Sequence, residues 1–378
     1  MPYQLTQMKN LQIIILFLIS PCIASAQTVK TSQKALGYKL DTAVRHFMHS
    51  AKVPGVALAV LKNGKVMYEQ VYGLSNLELN TPVTRNTVFE LASVTKQMTA
   101  MLILTMVREG KFGLDDKLVK YIPNPPAAWN DITIHQLLGH MSGLAMAFEP
   151  KMDGSYLLNN SKALMLKSAM ETPVLSRPGE HWKYSDQGYF LAGYALEKAT
   201  SRNFDTLMID RIFKPMGMTH TRFLNQDDII ENRAQGYIVD KQGQYKHDRR
   251  TWQFDLTPHF GVMSTIDDMV KYEQSLVRGD VITHEIFNEA STPYRIFYKD
   301  AREQYSYGMG WQMHDGKDGR RIAEHSGYTG TVYVRDLKTG ITVILLTNRD
   351  GDFGPSPQLL AHHISQLIDP DFPNINLH

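Results

Sequence analysis

Ser93 and Lys96 stand three positions apart in the run Ser93-Val94-Thr95-Lys96. On a helix, residues i and i+3 share a face, so the ammonium can reach the hydroxyl. The stretch from Ser93 to Glu109 reads as a helix stopped by Gly110. Ser93 is therefore expected among backbone N–H groups that lack intrahelical partners, at the positive end of the helix dipole. A hydroxyl beside an amine at such a place suits nucleophilic attack on a carbonyl, with the helix end favouring the oxyanion. Taken alone the pattern has a plainer explanation, because serine is also a common helix N-cap.

Other residues keep this pair company. Pro178-Gly179-Glu180 leads to Tyr184-Ser185-Asp186, and Gly188-Tyr189 follows at the head of an apolar helical stretch. His325-Ser326-Gly327 ends a short strand, and Phe89-Glu90-Leu91-Ala92 precedes the serine. Flanking phrases are Leu137-Leu138-Gly139-His140-Met141-Ser142-Gly143-Leu144, Gly261-Val262-Met263-Ser264-Thr265, Tyr307-Gly308-Met309-Gly310-Trp311 and Leu346-Thr347-Asn348. Together they resemble the serine β-lactamase and penicillin-binding-protein superfamily, nearest to its class C-like branch of esterases and D-peptidases. The resemblance covers about residues 35–368. It implies an acyl-enzyme on Ser93, proton transfers shared by Lys96 and Tyr184, and no cofactor or metal. It also implies an oxyanion hole from the backbone N–H groups of Ser93 and Tyr328. Whether Lys96 or Tyr184 is the base stays open at this point.

The chain departs from the family pattern at two places. Ser185-Asp186-Gln187 can be read as an altered S-D-N, but Pro-Gly-Glu before it and Gly188-Tyr189 after it favour a Y-x-N register. In that register Asp186 replaces an asparagine, so a carboxylate stands where an amide would meet a substrate carbonyl. Pairing of Asp186 with Lys96 and retention of activity are expected. His325 stands where the third motif usually has lysine, which removes a fixed positive charge for a substrate carboxylate. His325, Ser326, Gly327 and Tyr328 are nevertheless assigned to the site. Lys338-Thr339-Gly340 spells the family's K-T-G literally but reads as a hairpin turn. His140 is expected to shape a buried turn, Trp182 and Trp311 to line the cleft or pack, and His362 and His363 to lie on a helix surface.

The substrate class expected is an ester or amide, in the manner of an esterase or D-aminopeptidase. A β-lactamase or D,D-carboxypeptidase is the first rival. A non-catalytic binding or sensor domain is the second, but Ser93, Lys96 and Tyr184 are all present. Other hydrolase and nucleotide signatures fail: there is no G-x-S-x-G elbow, no Walker loop and no G-x-G-x-x-G. His284-Glu285 starts a zinc motif that breaks at Asn288.

Elements must bring these distant motifs together. Leu36, Leu40, Val44 and Phe47 give residues 34–50 a helical period. Asn63-Gly64 between two apolar runs predicts a hairpin. Strands are expected at Arg321–His325, Thr331–Val334 and Ile341–Leu346, and a helix from Ser356 to Ile368. Strands near both ends around a middle of loops and short helices, about 111–260, predict an α+β fold. One antiparallel sheet would be built from the N- and C-terminal segments, flanked by helices, with the helical region inserted.

The first residues read as a separate leader. Lys9 precedes an apolar run from Leu11 to Ile19, and Ala24-Ser25-Ala26 offers a cleavage site, so residues 1–26 are expected to be a signal peptide. The run is shorter than the roughly 20 residues of a membrane span. A secreted or periplasmic hydrolase domain, residues 27–378, follows. The one cysteine, Cys22, lies in the leader, so the domain has no means of forming disulfides or zinc–thiolate sites. Lys+Arg number 40 against 38 Asp+Glu, so no basic field invites nucleic acid. The expected partner is a small-molecule or peptide substrate, with no stable membrane span after cleavage.

Overall fold

The computed structural model describes residues 34–146, 158–248, 252–299, 303–316, 318–351 and 353–375. Helix α1 (34–50) is followed by strands β1 (Gly55–Lys62), β2 (Lys65–Asn76) and β3 (Thr81–Pro82), then by helix α2 (Thr95–Arg108). The middle contributes α3 (Ile134–Leu138), α4 (Asp186–Thr200) and α5 (Ile266–Arg278). Strands β4 (Arg295–Lys299), β5 (Glu303–Tyr307), β6 (Gln312–Gly316), β7 (Arg321–Ser326), β8 (Val332–Asp336) and β9 (Ile341–Thr347) follow, and α6 (Pro357–Ile368) comes last. The proposed leader and Cys22 lie outside the described residues.

The nine strands form one sheet in the order β4-β5-β6-β7-β8-β9-β1-β2-β3, antiparallel throughout. The N-terminal hairpin joins the C-terminal strands along β1 and β9, where Val56 faces Thr347 and Lys62 faces Ile341. The fold is α+β, as the strand pattern predicts. Asn63 and Gly64 both take positive φ, 49° and 75°, which suits a tight two-residue hairpin turn.

Period-two alternation explains the layers. Val56, Leu58 and Val60 of β1, with Val343 and Leu345 of β9, pack on Leu40, Val44 and Phe47 of α1 and Leu360 and Ile364 of α6. Ala57, Ala59 and Leu61, with Ile344 and Leu346, face the opposite core, which contains α2, α4 and α5. The alanines are small enough for α5 to lie close on the strand. Helix α2 is buried from Thr95 to Leu104 on every side, the pattern of a helix running through a core rather than over it.

The inserted region is not purely helical. Leu158–Asn160 pairs in parallel with Trp252–Phe254, and Val262–Ser264 lies between Phe89–Glu90 and Arg222–Phe223. These two- and three-residue strands join distant segments, so they leave no periodic signal in sequence. No helix among the described residues is long and apolar enough to cross a membrane.

Candidate active site

Ser93 lies in a single 3-10 turn, Ala92–Val94, between the strand Phe89–Glu90 and α2. Ala92 takes φ 45°, a conformation that costs a non-glycine residue energy and turns the chain sharply. No side chain caps this turn or α2, so the Ser93 hydroxyl is not an N-cap. It accepts a hydrogen bond from Lys96 Nζ at 3.1 Å instead.

Lys96 is fully buried, and its ammonium is surrounded by acceptors. Nζ lies 2.7 Å from the His259 carbonyl and 2.7 Å from Asp186 Oδ1. Tyr184 sits beside this pair, and its phenol and the Lys96 ammonium each act on the other's protonation. Nζ also sits 4.7 Å from the centre of the Tyr184 ring, within cation–π range. Burial alone would lower the lysine pKa, but Asp186 and Tyr184 outweigh it and hold the ammonium above the ordinary lysine value. Burial likewise works against the Asp186 carboxylate; Lys96 and His259 reverse it, and its pKa falls. For Tyr184, burial, with Asp186 adding to it, prevails over the pull of Lys96 and raises the phenol.

The segment carrying Tyr184 is set by the start of α4. Ser185 is the N-cap: its Oγ accepts from Gly188 N–H at 3.0 Å and donates to the Ala145 carbonyl at 2.6 Å. Asp186 is the first residue of the helix, where a negative charge is favoured by the dipole.

The third segment is strapped against the nucleophile's backbone. Thr329 Oγ1 and Thr331 Oγ1 both donate to the Glu90 carbonyl, at 2.7 and 3.1 Å. A Cβ on Gly327 would come within 2.4 Å of the Leu91 carbonyl oxygen, so only glycine permits this approach. Tyr328 follows as a residue 63% exposed, on the rim rather than in the core. Gly310, at φ 78°, presses in the same way on the first turn of α2, where a Cβ would meet the Lys96 carbonyl at 2.6 Å.

His325 comes to the same place but is buried, and both ring nitrogens are engaged. Nδ1–H donates to the Ser326 carbonyl at 2.8 Å, which leaves Nε2 to accept from the Tyr307 hydroxyl at 3.0 Å. Burial, followed by the Lys96 charge, pulls its pKa down to about 4, so it presents a neutral ring. Lys338-Thr339-Gly340 lies at the other end of these strands. Ser326 pairs with Val332 at the site end, whereas Ile322 pairs with Asp336 beside that turn.

The expected surface placement of the adjacent histidines on the last helix holds for one of them only. His362 is buried, not a surface residue, because it reaches back to Glu324: His362 Nε2 and His314 Nε2 lie 2.6 and 2.9 Å from its carboxylate. His363 is exposed. Trp311 packs in the core against Phe287 and Tyr333, and Trp182 stacks on Phe297 at 4.5 Å.

Sequence reasoning passed over His259 and Tyr307. The signal for His259 was its place just before Phe260-Gly261-Val262, where a buried polar residue has no periodic explanation. Tyr307 stood inside a quoted phrase without a role. Among the described residues no group of His, Cys, Asp or Glu is arranged to hold a metal.

The chain is 27% identical over 334 residues to penicillin-binding protein 4* of Bacillus subtilis, covering 82% of this chain and 72% of that protein. It spans 66–72% of the length of the curated relatives it matches. The octameric penicillin-binding protein homologue of Pyrococcus abyssi superposes with a TM-score of 0.77 at 26% identity, over 87% of this chain and 76% of that one. EstCE1, a hydrolase with promiscuous acyltransferase activity, shares the fold at TM-score 0.76 and 18% identity, over 88% and 99% of the two chains. The Beta-lactamase family profile matches residues 40–365, which takes in every motif of the cluster around Ser93, and the chain belongs to that family.

Proposed function

We propose that the protein is a serine hydrolase that cleaves esters or amides through an acyl-enzyme on Ser93. The observation that carries this reading is the contact of Ser93 Oγ with the buried Lys96 ammonium, itself 4.7 Å from the centre of the Tyr184 ring. With Lys96 held charged by Asp186, the member of the pair left to act as base is Tyr184, whose phenolate the adjacent ammonium favours against burial and Asp186. That phenolate accepts the Ser93 proton as Oγ attacks the substrate carbonyl. The oxyanion is received by the backbone N–H groups of Ser93 and Tyr328. The same tyrosine returns the proton to the leaving group, and water reverses the sequence.

Asp186 and His325 shape the preference. A carboxylate beside the reaction centre and a neutral imidazole in the third segment disfavour substrates with a carboxylate or acylamino carbonyl near the scissile bond. Simple esters and substrates with an amine there suffer less, which supports an esterase or D-aminopeptidase-like activity. A β-lactamase or D,D-carboxypeptidase is the second reading, favoured by the names of the penicillin-binding relatives. The leader supports action outside the cytoplasm.

Intact-mass measurement after incubation with a fluorophosphonate, a p-nitrophenyl ester and benzylpenicillin tests both readings. A fluorophosphonate adduct on Ser93, with ester turnover faster than penicillin acylation, is the expected result. No adduct and no turnover would leave a binding domain. Penicillin acylation outrunning ester turnover would favour the second reading.

A further inference from the structure

Tyr184 is fixed from both sides by one residue that the catalytic reading does not use. The amide N–H of Lys183 donates to the backbone carbonyl of His140 at 2.8 Å. The amide N–H of Ser185 donates to Nδ1 of the same histidine at 3.1 Å. The N–H groups of the residues just before and just after Tyr184 therefore both end on His140. Its ring lies 4.4 Å from the Tyr184 ring and 4.6 Å from that of Tyr307, whose hydroxyl holds His325.

The backbone of His140 is unusual in the same sense. It takes φ 58°, in the left-handed region that few non-glycine residues enter, at the end of α3. Such backbone cost persists only where the surroundings over-determine it. Here the run from Met141 to Met146 lies along residues 175–186, tied by Gly179 N–H to Met141 O at 2.7 Å and Asp186 N–H to Met146 O at 2.7 Å. The left-handed turn at His140 is what brings its carbonyl and ring together onto residues 183–185.

The ring must be neutral for this. Nδ1 accepts a hydrogen bond, so the proton resides on Nε2. Protonation of Nδ1 would set a donor against the Ser185 N–H and a second cation near Lys96. Burial, then Lys96 and His325, hold its pKa well below the ordinary histidine value.

We infer that His140 is a positioning residue for Tyr184: its carbonyl and Nδ1 hold the N–H groups of Lys183 and Ser185, and its ring backs the phenol, so that the hydroxyl stays directed at Ser93 and Lys96. This rests on the reading of Tyr184 as the proton-transfer group.

The test compares wild type, Tyr184→Phe, His140→Leu and His140→Asn on one neutral ester, with circular dichroism to establish folding. Leucine fills the volume but accepts no hydrogen bond. Asparagine keeps an acceptor and tolerates positive φ. Tyr184→Phe should lose about 10²-fold or more in kcat, the usual size of a general-base effect. His140→Leu should lose about 10- to 100-fold in kcat with KM changed less than about threefold, as displacement of a catalytic group by a fraction of an ångström to one ångström does. Its kcat–pH midpoint should also move, and His140→Asn should restore most of the loss. Should His140→Leu not fold, His140→Gln, which keeps an acceptor but shifts it by one bond, serves in its place. A drop of about fivefold or more in kcat at near-constant KM then supports the clamp. A folded His140→Leu or His140→Gln with wild-type kcat and pH midpoint, while Tyr184→Phe is inactive, overturns the inference and leaves the catalytic reading standing. Full activity in Tyr184→Phe overturns both.

Discussion

Lys96 and Asp186 form an ion pair 2.7 Å long in which the lysine is wholly buried and the carboxylate opens the helix that follows Tyr184. The pair raises the proton affinity of one partner and lowers that of the other. It places a negative charge beside the Ser93 hydroxyl's lysine partner, and that charge acts to hold protons on both Lys96 and Tyr184.

Replacing Asp186 by asparagine removes the charge that holds protons on the couple. The couple then deprotonates at lower pH, so the rising limb of kcat/KM against pH should move to lower pH by about one unit or more. The ratio of kcat/KM for a cephalosporin to that for a simple ester should rise as well. A pH–rate series on both substrates with both proteins measures this. An unmoved limb and an unchanged ratio would show that Asp186 sets neither property.

Ser93→Ala should reduce ester turnover by about 10³-fold or more, because the residues of such a unit fail together. The fluorophosphonate adduct should vanish. Thermal unfolding should be nearly unchanged, since the Ser93 hydroxyl caps no helix. Retention of most of the activity would exclude an acyl-enzyme on this residue.

Gly327→Ala inserts a Cβ against the Leu91 carbonyl, 2.4 Å away by construction. The third segment must retreat from Ser93. The expected cost is about 1–3 kcal/mol in stability, typical of overpacking. A loss of about 10²-fold in kcat should accompany it, as for removal of one oxyanion donor. Urea denaturation and steady-state kinetics on the same preparation separate the two effects.

Glu324 should govern acid stability. Burial opposes its charge, but His362 and His314 prevail and hold its pKa well below the usual 4.5. A carboxylate depressed in the folded state adds stability that is complete above its unfolded pKa and lost as pH falls through the folded one. Stability should therefore decline below about pH 4.5, and Glu324→Leu should flatten that decline. At neutral pH the variant should lose about 1–3 kcal/mol, because buried ring N–H groups are left without their acceptor. Denaturant titrations across pH 3–7 check the sign; equal acid slopes in both proteins would contradict it.

Much of this was legible in sequence, for identifiable reasons. The helix at 34–50, the Asn63-Gly64 hairpin and the strands after Arg321 follow from local period and turn chemistry, which tertiary context here reinforces. The Ser93–Lys96 spacing and the Tyr184 and His325 motifs were readable because the chemistry demands particular residue types. The placement of His362 was not, since two adjacent histidines on an amphipathic helix leave open which one turns inward; a glutamate on another element decides it. Nor was the left-handed turn at Ala92, because alanine carries no local signal for positive φ. The double hold of His140 on Tyr184 joins segments 44 residues apart and needs the fold to exist first.

The pairing of β1 with β9 has a consequence for the order in which the chain can mature. Val56 meets Thr347 only when nearly the whole polypeptide is available, so this seam of the sheet is among its most non-local contacts. Until then the N-terminal hairpin presents one unpaired edge made of Val56, Leu58 and Val60 on one face and Ala57, Ala59 and Leu61 on the other. An apolar edge of that kind is a template for pairing between chains. Any shortening of the chain that removes β9 therefore does more than delete a strand: it leaves the edge uncovered for good, and the product should collect as aggregate rather than persist as a smaller folded hydrolase.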